Sequence, residues 1–151
     1  MPVLTDPEAF PVRELSLAAN GLTDADFGEQ VAKIVSMHME KRDEVVWKYA
    51  LRDELPPTEA LEGLKKFDLS FNKLGSKTVF AIGKALKNDK YLISLNLKQN
   101  MLNDENAKLL LSYLEDNETL FNLDMRYNVD IKQKTFRKCA MKLLGNYTKS
   151  G

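Results

Sequence analysis

The chain has 151 residues and a mass of 17.2 kDa, which favours one domain with a core of its own. Apolar residues make up 44% and charged residues 29%, an ordinary globular balance that excludes a disordered chain. Twenty-two Lys and Arg against twenty-two Asp and Glu give a formal charge of zero, so no global field draws the chain to nucleic acid or an anionic membrane.

The first residues, MPVLTDPEAFPVRE, hold acids and prolines but no long apolar run, unlike a secretory signal or a membrane span. They predict a short cover (1–10) over a first strand, with Phe10 packed on it. That strand is expected near 14–18, where Val12, Leu15, Leu17, Asn20 and Leu22 form the pattern V-x-x-L-x-L-x-x-N-x-L. Asp24 to Ser36 then reads as a helix with Phe27, Val31 and Ile34 or Val35 inward. The next stretch, MHMEKRDEVVWKYALRDELPP, breaks the pattern. A strand 28 residues after the first would put Lys48 at the asparagine position and Glu40 and Asp43 at leucine positions. Val46, Trp47, Ala50 and Leu51 instead make a second helical stripe ended by Pro56-Pro57. The reading is an irregular helical insertion at about 37–57, part of a long or broken helix over 24–54, then a short helix near 58–62. A degenerate repeat is the alternative.

From Leu64 the chain repeats itself. Leu64, Phe67, Leu69, Asn72 and Leu74 share one spacing with Leu92, Leu95, Leu97, Asn100 and Leu102. Leu120, Leu123, Met125 and Asn128 follow the same spacing, and the three asparagines lie 28 residues apart. Strands are expected near 66–70, 94–98 and 122–126, each followed by a turn and an amphipathic helix. Val79, Ile82, Ala85 and Leu86 give one helical stripe; Ala107, Leu110 and Leu114 give the next. Phe136, Cys139 or Ala140, Leu143 and Leu144 form a closing helix over about 133–144, with Gly145 as its cap and 146–151 expected to fray.

This pattern resembles the leucine-rich repeat family, in its ribonuclease-inhibitor-like subclass with 28- or 29-residue repeats. The resemblance covers 64–128 best, extends to 12–35, and is partial over 129–145. It implies a single α/β domain over 1–151: a short right-handed solenoid, a horseshoe segment with a parallel sheet on the concave face and helices on the convex face. Asn20, Asn72, Asn100 and Asn128 would then be structural, their carboxamides donating to and accepting from backbone where the chain leaves each strand.

Residues suited to chemistry are few. There is no HExxH, P-loop, GxSxG or paired-cysteine motif. The lone histidine, His38, reads as an exposed or half-packed helix-end residue. Cys139, the single cysteine, excludes an internal disulfide and fits a reducing compartment; its helical spacing predicts a buried thiol. Asn117-Glu118-Thr119 and Asn146-Tyr147-Thr148 match the glycosylation pattern but lack a secretory context. Trp47 either fills a gap at the insertion or anchors a partner.

The surface displayed by the strands is the remaining candidate. Ser16, Asp68, Asn96 and Asp124 make one outward row, Ala18, Ser70, Lys98 and Arg126 another, and Ala19, Phe71, Gln99 and Tyr127 a third. Aromatic side chains among cations and amides have the composition of a protein-binding hot region. The expectation is a cytoplasmic or cytoskeleton-associated module that binds another protein, without catalysis, cofactor or metal, and without nucleic-acid or membrane binding. The cytoskeleton and cilia are the settings the resemblance suggests for it. Its expected contacts are Asp68, Phe71, Asn96, Lys98, Gln99, Asp124, Arg126, Tyr127 and Trp47. Two alternatives stand beside it: a regulator that stimulates a partner GTPase, and a structural subunit stacked end-on in a larger assembly.

Overall fold

Where apolar and polar residues alternate, four short parallel strands form and lie side by side in chain order. They are β1 (Glu14–Ser16), β2 (Lys66–Asp68), β3 (Ser94–Asn96) and β4 (Asn122–Asp124). The computed structural model describes residues 12–150, so the expected cover by 1–10, Phe10 included, lies outside the described residues. Register is uniform across the sheet. Leu15, Phe67, Leu95 and Leu123 are lateral neighbours, although the chain takes 52 residues to return from β1 and 28 from each later strand.

A helix follows each strand: α1 (Asp24–Ala50), α2 (Ser76–Asn88), α3 (Asp104–Leu114) and α4 (Gln133–Ser150). A single 3-10 turn, Thr58–Leu61, leads into β2. Each helix packs on the next in chain order. Phe67, Leu69, Leu95 and Leu97 from the sheet join Val79, Ile82, Leu86, Leu110 and Leu114 from the helices in one cluster that excludes solvent. Full burial of one such side chain is worth about 1.5–3 kcal/mol. The α/β class with a parallel sheet is therefore what the periodicity predicts.

Several boundaries differ from the expectation. The strands stop at residues 16, 68, 96 and 124 rather than 18, 70, 98 and 126, because the chain enters a turn there. Lateral hydrogen bonds nevertheless continue through that turn, from Leu69 N–H to Asn96 carbonyl at 2.8 Å and Phe71 N–H to Lys98 carbonyl at 3.0 Å. The segment after Ser36 adds no strand. It continues α1 as one unbroken helix of 27 residues, so its first part is regular rather than an irregular insertion. That helix ends at Ala50, before Pro56, and Asp53 takes a left-handed conformation (φ 55°) that turns the chain away.

The inward faces also differ. Val31, Ile34 and Val35 are buried as expected, but Phe27 is exposed, and so are Val46, Trp47, Ala50 and Leu51. The second half of α1 is held by polar residues instead. His38, buried at 2% exposure rather than lying at a helix end, accepts the Leu64 N–H at 3.4 Å. Arg42 is buried with its guanidinium 4.8 Å from the Tyr91 ring centre, and a Cβ on Gly63 would collide with it. At the other end, α4 runs through Gly145 to Ser150, so 146–150 do not fray. Asn146 is buried and donates to the Leu120 carbonyl at 2.7 Å, while Tyr147 meets Phe121 edge-on at 5.4 Å.

Candidate functional site

The turns that follow the strands are built alike. Asp68, Asn96 and Asp124 each accept, through a side-chain oxygen, the backbone N–H two residues ahead, at 2.9, 2.9 and 3.0 Å. Such a local loop competes with extended structure and ends the strand. Three residues past each strand's end, Ala19, Phe71, Gln99 and Tyr127 all take the left-handed conformation, with φ of 56°, 57°, 52° and 60°. That region disfavours large side chains, yet two of the four carry aromatic rings. Both rings are outside, Phe71 at 49% and Tyr127 at 69% exposure.

From the second turn onward, the asparagine that follows each left-handed residue ties its turn to the one before. The Asn72 amide donates to the Leu17, Leu69 and Ser70 carbonyls at 3.0, 3.0 and 3.2 Å. Its oxygen accepts the N–H of Asn20 and Leu22 at 3.1 and 3.0 Å. Asn128 does the same for Asn100 and Leu102, both at 3.0 Å, and donates to Leu97 and Met125 carbonyls. Asn100 is the link between them. Asn20 holds only its own turn, donating to the Ala18 carbonyl at 3.1 Å.

On this frame the structure gathers Phe71, Lys98, Gln99, Arg126 and Tyr127. The Lys98 ammonium lies 5.7 Å from the Phe71 ring centre and 5.3 Å from that of Tyr127, bridging the two rings across the exposed Gln99. Arg126 is held differently. Its guanidinium donates to both oxygens of Asp124, from Nε at 3.0 Å to Oδ1 and from Nη2 at 2.8 Å to Oδ2. The guanidinium hydrogen bond keeps the Asp124 carboxyl below its ordinary range, and the carboxylate raises Arg126 in turn. Lys98 makes no ion pair among the described residues; its charge faces the two rings and adds to the field that lowers Asp124.

Other predicted residues lie elsewhere or serve the frame. Asp68, Asn96 and Asp124 sit beside the patch, each with its Oδ1 bonded into the turn; Ser70 is buried and donates its hydroxyl to Asp68 at 2.6 Å. Trp47 stands apart on α1 and is 61% exposed, so it fills no gap. Cys139 is buried as expected, and burial pushes its thiol up to about 11, which leaves almost no thiolate near neutrality. The asparagines of the two glycosylation patterns, Asn117 and Asn146, are each only 1% exposed. Asn117 holds the entry to β4, accepting the N–H of Thr119 and Leu120 at 3.0 and 2.8 Å and donating to the Leu86 carbonyl at 2.7 Å.

Two carboxylates fasten one helix to the next, a role beyond the capping that the sequence offers Asp104. Asp24, at the start of α1, accepts the N–H of Gly75, Lys77 and Thr78 at the start of α2. Asp104, at the start of α3, accepts the Lys132 N–H and the Thr135 hydroxyl at the start of α4, at 3.0 and 2.6 Å. Helix N-termini favour such anions. The only signal was an acid at the head of one helix and a threonine near the head of the next.

No family model matches the chain. By architecture it belongs with α/β proteins of parallel strands and packed helices. Among solved structures it is similar to leiomodin-1 actin-binding site 2, with a TM-score of 0.52 over 99% of this chain and 88% of that one. Their sequence identity is 16%, so the likeness is one of fold.

In sequence the chain is similar to the centrosomal protein of 78 kDa. It is 35% identical to the Mus musculus protein over 117 residues, covering 77% of this chain and 15% of that protein. The Homo sapiens protein is 34% identical over 119 residues, covering 78% and 17%. The chain thus spans about one sixth of the length of the relatives it matches. These relatives are centrosomal proteins, in keeping with a cytoplasmic, cytoskeleton-associated location; no helix of the described residues is long and apolar enough to cross a membrane.

Proposed function

We propose that the chain is a leucine-rich repeat module that binds a protein partner at the cytoskeleton or centrosome and performs no chemistry itself. The repeat reading is supported by the 28-residue spacing of Asn72, Asn100 and Asn128 and by their shared hydrogen-bonding role. The setting is supported by the centrosomal relatives and by a structural neighbour named for actin binding. One observation carries the binding site. Phe71 and Tyr127 hold large exposed rings in a left-handed conformation that glycine or asparagine would adopt at less cost, with Lys98 bridging them. An aromatic pair kept where the backbone disfavours it, and facing water, is better suited to contact than to folding.

The test is the double substitution Phe71→Asn, Tyr127→Asn. Stability in urea should stay within about 1 kcal/mol of wild type, because asparagine tolerates the left-handed conformation and little buried area is lost. Recovery of the bound partner from extracts of centrosome-bearing cells, quantified against immobilised wild type, should fall by about tenfold or more. Undiminished recovery with the double variant, and loss with Trp47→Ala, would move the site to α1.

A further inference from the structure

In a chain whose formal charge is zero, α4 carries five cations, Lys134, Arg137, Lys138, Lys142 and Lys149, and no carboxylate. Two of these are occupied. Lys142 donates to the Glu115 carbonyl at 3.2 Å and Lys149 pairs with Glu118 at 3.3 Å. Lys134, Arg137 and Lys138 make no ion pair among the described residues and are exposed. Their spacing places them on one stripe of the helix with Met141, which is 71% exposed.

That stripe borders an open hollow of about 480 Å³ between α3 and α4. Leu111 and Met141 supply apolar surface to it, the cations form its rim, and Glu115 is its one carboxylate. A second hollow of about 250 Å³ shares Lys134 and Lys138 with it and adds Lys108 and Lys132 to its walls. There the carboxylate is Asp104, already paired with Lys108 at 3.2 Å and bonded to Thr135.

We propose that this α3–α4 face is a second interaction surface, which takes an acidic protein segment that inserts an apolar side chain against Leu111 and Met141. Charge complementarity names the occupant. Lys134, Lys138 and Lys142 follow one another at single-turn spacing and repel until carboxylates come between them. A surface serving solubility alone would mix both signs and would not leave a methionine uncovered among its cations. The hollow's apolar surface from Leu111 and Met141 suits an apolar side chain and offers nothing to a phosphate backbone.

The probe is a short labelled acidic peptide in which leucines interrupt a run of glutamates at helical spacing, titrated against the whole chain by fluorescence anisotropy. Saturable binding is expected, weakening with salt. Arg137→Glu with Lys138→Glu should lower affinity about tenfold or more, and Met141→Ser should lower it severalfold. Circular dichroism should show both variants folded, since these side chains are exposed. Phe71→Asn, Tyr127→Asn should leave this binding unchanged, which separates the surface from the aromatic patch. Absence of saturable binding would overturn the proposal. So would equal binding of an all-glutamate peptide together with indifference to Met141→Ser, the result for charge attraction alone. Tighter binding to phosphatidylserine vesicles or to a short DNA duplex would overturn it in favour of a membrane or a nucleic acid.

Discussion

Asn100 carries one turn into the next with a single buried side chain. Its oxygen accepts the Leu74 N–H at 3.1 Å, and its amide is shared among the Leu69, Leu97 and Lys98 carbonyls. Asn100→Ala strands these backbone groups away from water and should cost about 1–3 kcal/mol in urea denaturation. Asn100→Asp should cost more at neutral pH, because a carboxylate there would face three carbonyl oxygens with no hydrogen to give them. A smaller loss for the aspartate would show that acceptance alone is what the turn needs. The asparagines were legible because the carboxamide recurs at a fixed interval. The left-handed backbone one residue earlier was not legible, since Ala19, Phe71, Gln99 and Tyr127 share no side-chain chemistry. The neighbouring turn imposes that conformation, and local propensity gives no hint of it.

The same contrast holds for whole elements. Helices α2 and α3 follow their apolar stripes closely, because both are short and their stripe residues join the core cluster. Helix α1 does not. Its second half offers Val46, Trp47 and Ala50 to solvent and docks through His38 and Arg42, a polar attachment that hydrophobic periodicity cannot reveal. Helix α4 passes through Gly145 because Asn146 and Tyr147 are anchored beyond it. Close approach between elements leaves its own trace at Gly83 on α2, where a Cβ would strike the ring of Tyr113 on α3. Gly83→Ala should therefore destabilise by about 1–2 kcal/mol although alanine is the better helix former by about 1 kcal/mol. Placed in a Tyr113→Ala background, the same change should stabilise by about 0.5–1 kcal/mol. A thermal or urea double-mutant cycle reads the difference directly.

For the molecule as a whole, acid stability depends on carboxylates that fasten one helix to the next. The Thr135 hydroxyl, then the Lys132 N–H and Lys108, hold Asp104 down at about 2 from an ordinary 3.8. A folded-state value below the unfolded one adds stability above pH 3.8, and that contribution is lost as pH falls through 2. Asp104→Asn removes the titration, so its urea midpoint should fall less steeply than that of wild type across this interval. Parallel acid limbs would show that Asp104 does not set the slope. The candidate site was partly legible at this scale. Alternation and spacing place Phe71, Gln99 and Tyr127 in one row with Lys98 and Arg126 in the next, but they give no sign that Asp124 holds Arg126. For the basic face of α4, sequence leaves a solvated end and a partner-holding end equally open, since it gives no view of the hollow beside it.

The return from β1 to β2 is longer than the others yet leaves the strand register unchanged. Asn20 and Asn72 stand 52 residues apart, Asn72 and Asn100 stand 28, and both pairs meet in the same register. Closing the longer path costs only about 0.5 kcal/mol more, because the entropy of a chain with fixed ends grows with the logarithm of its length. Strand neighbours therefore find one another by the chemistry at their ends, and the distance travelled between them is nearly free to change. The exposed stretch 52–55 is accordingly a natural splice point, where a further helix or a whole foreign domain could be carried without moving a strand.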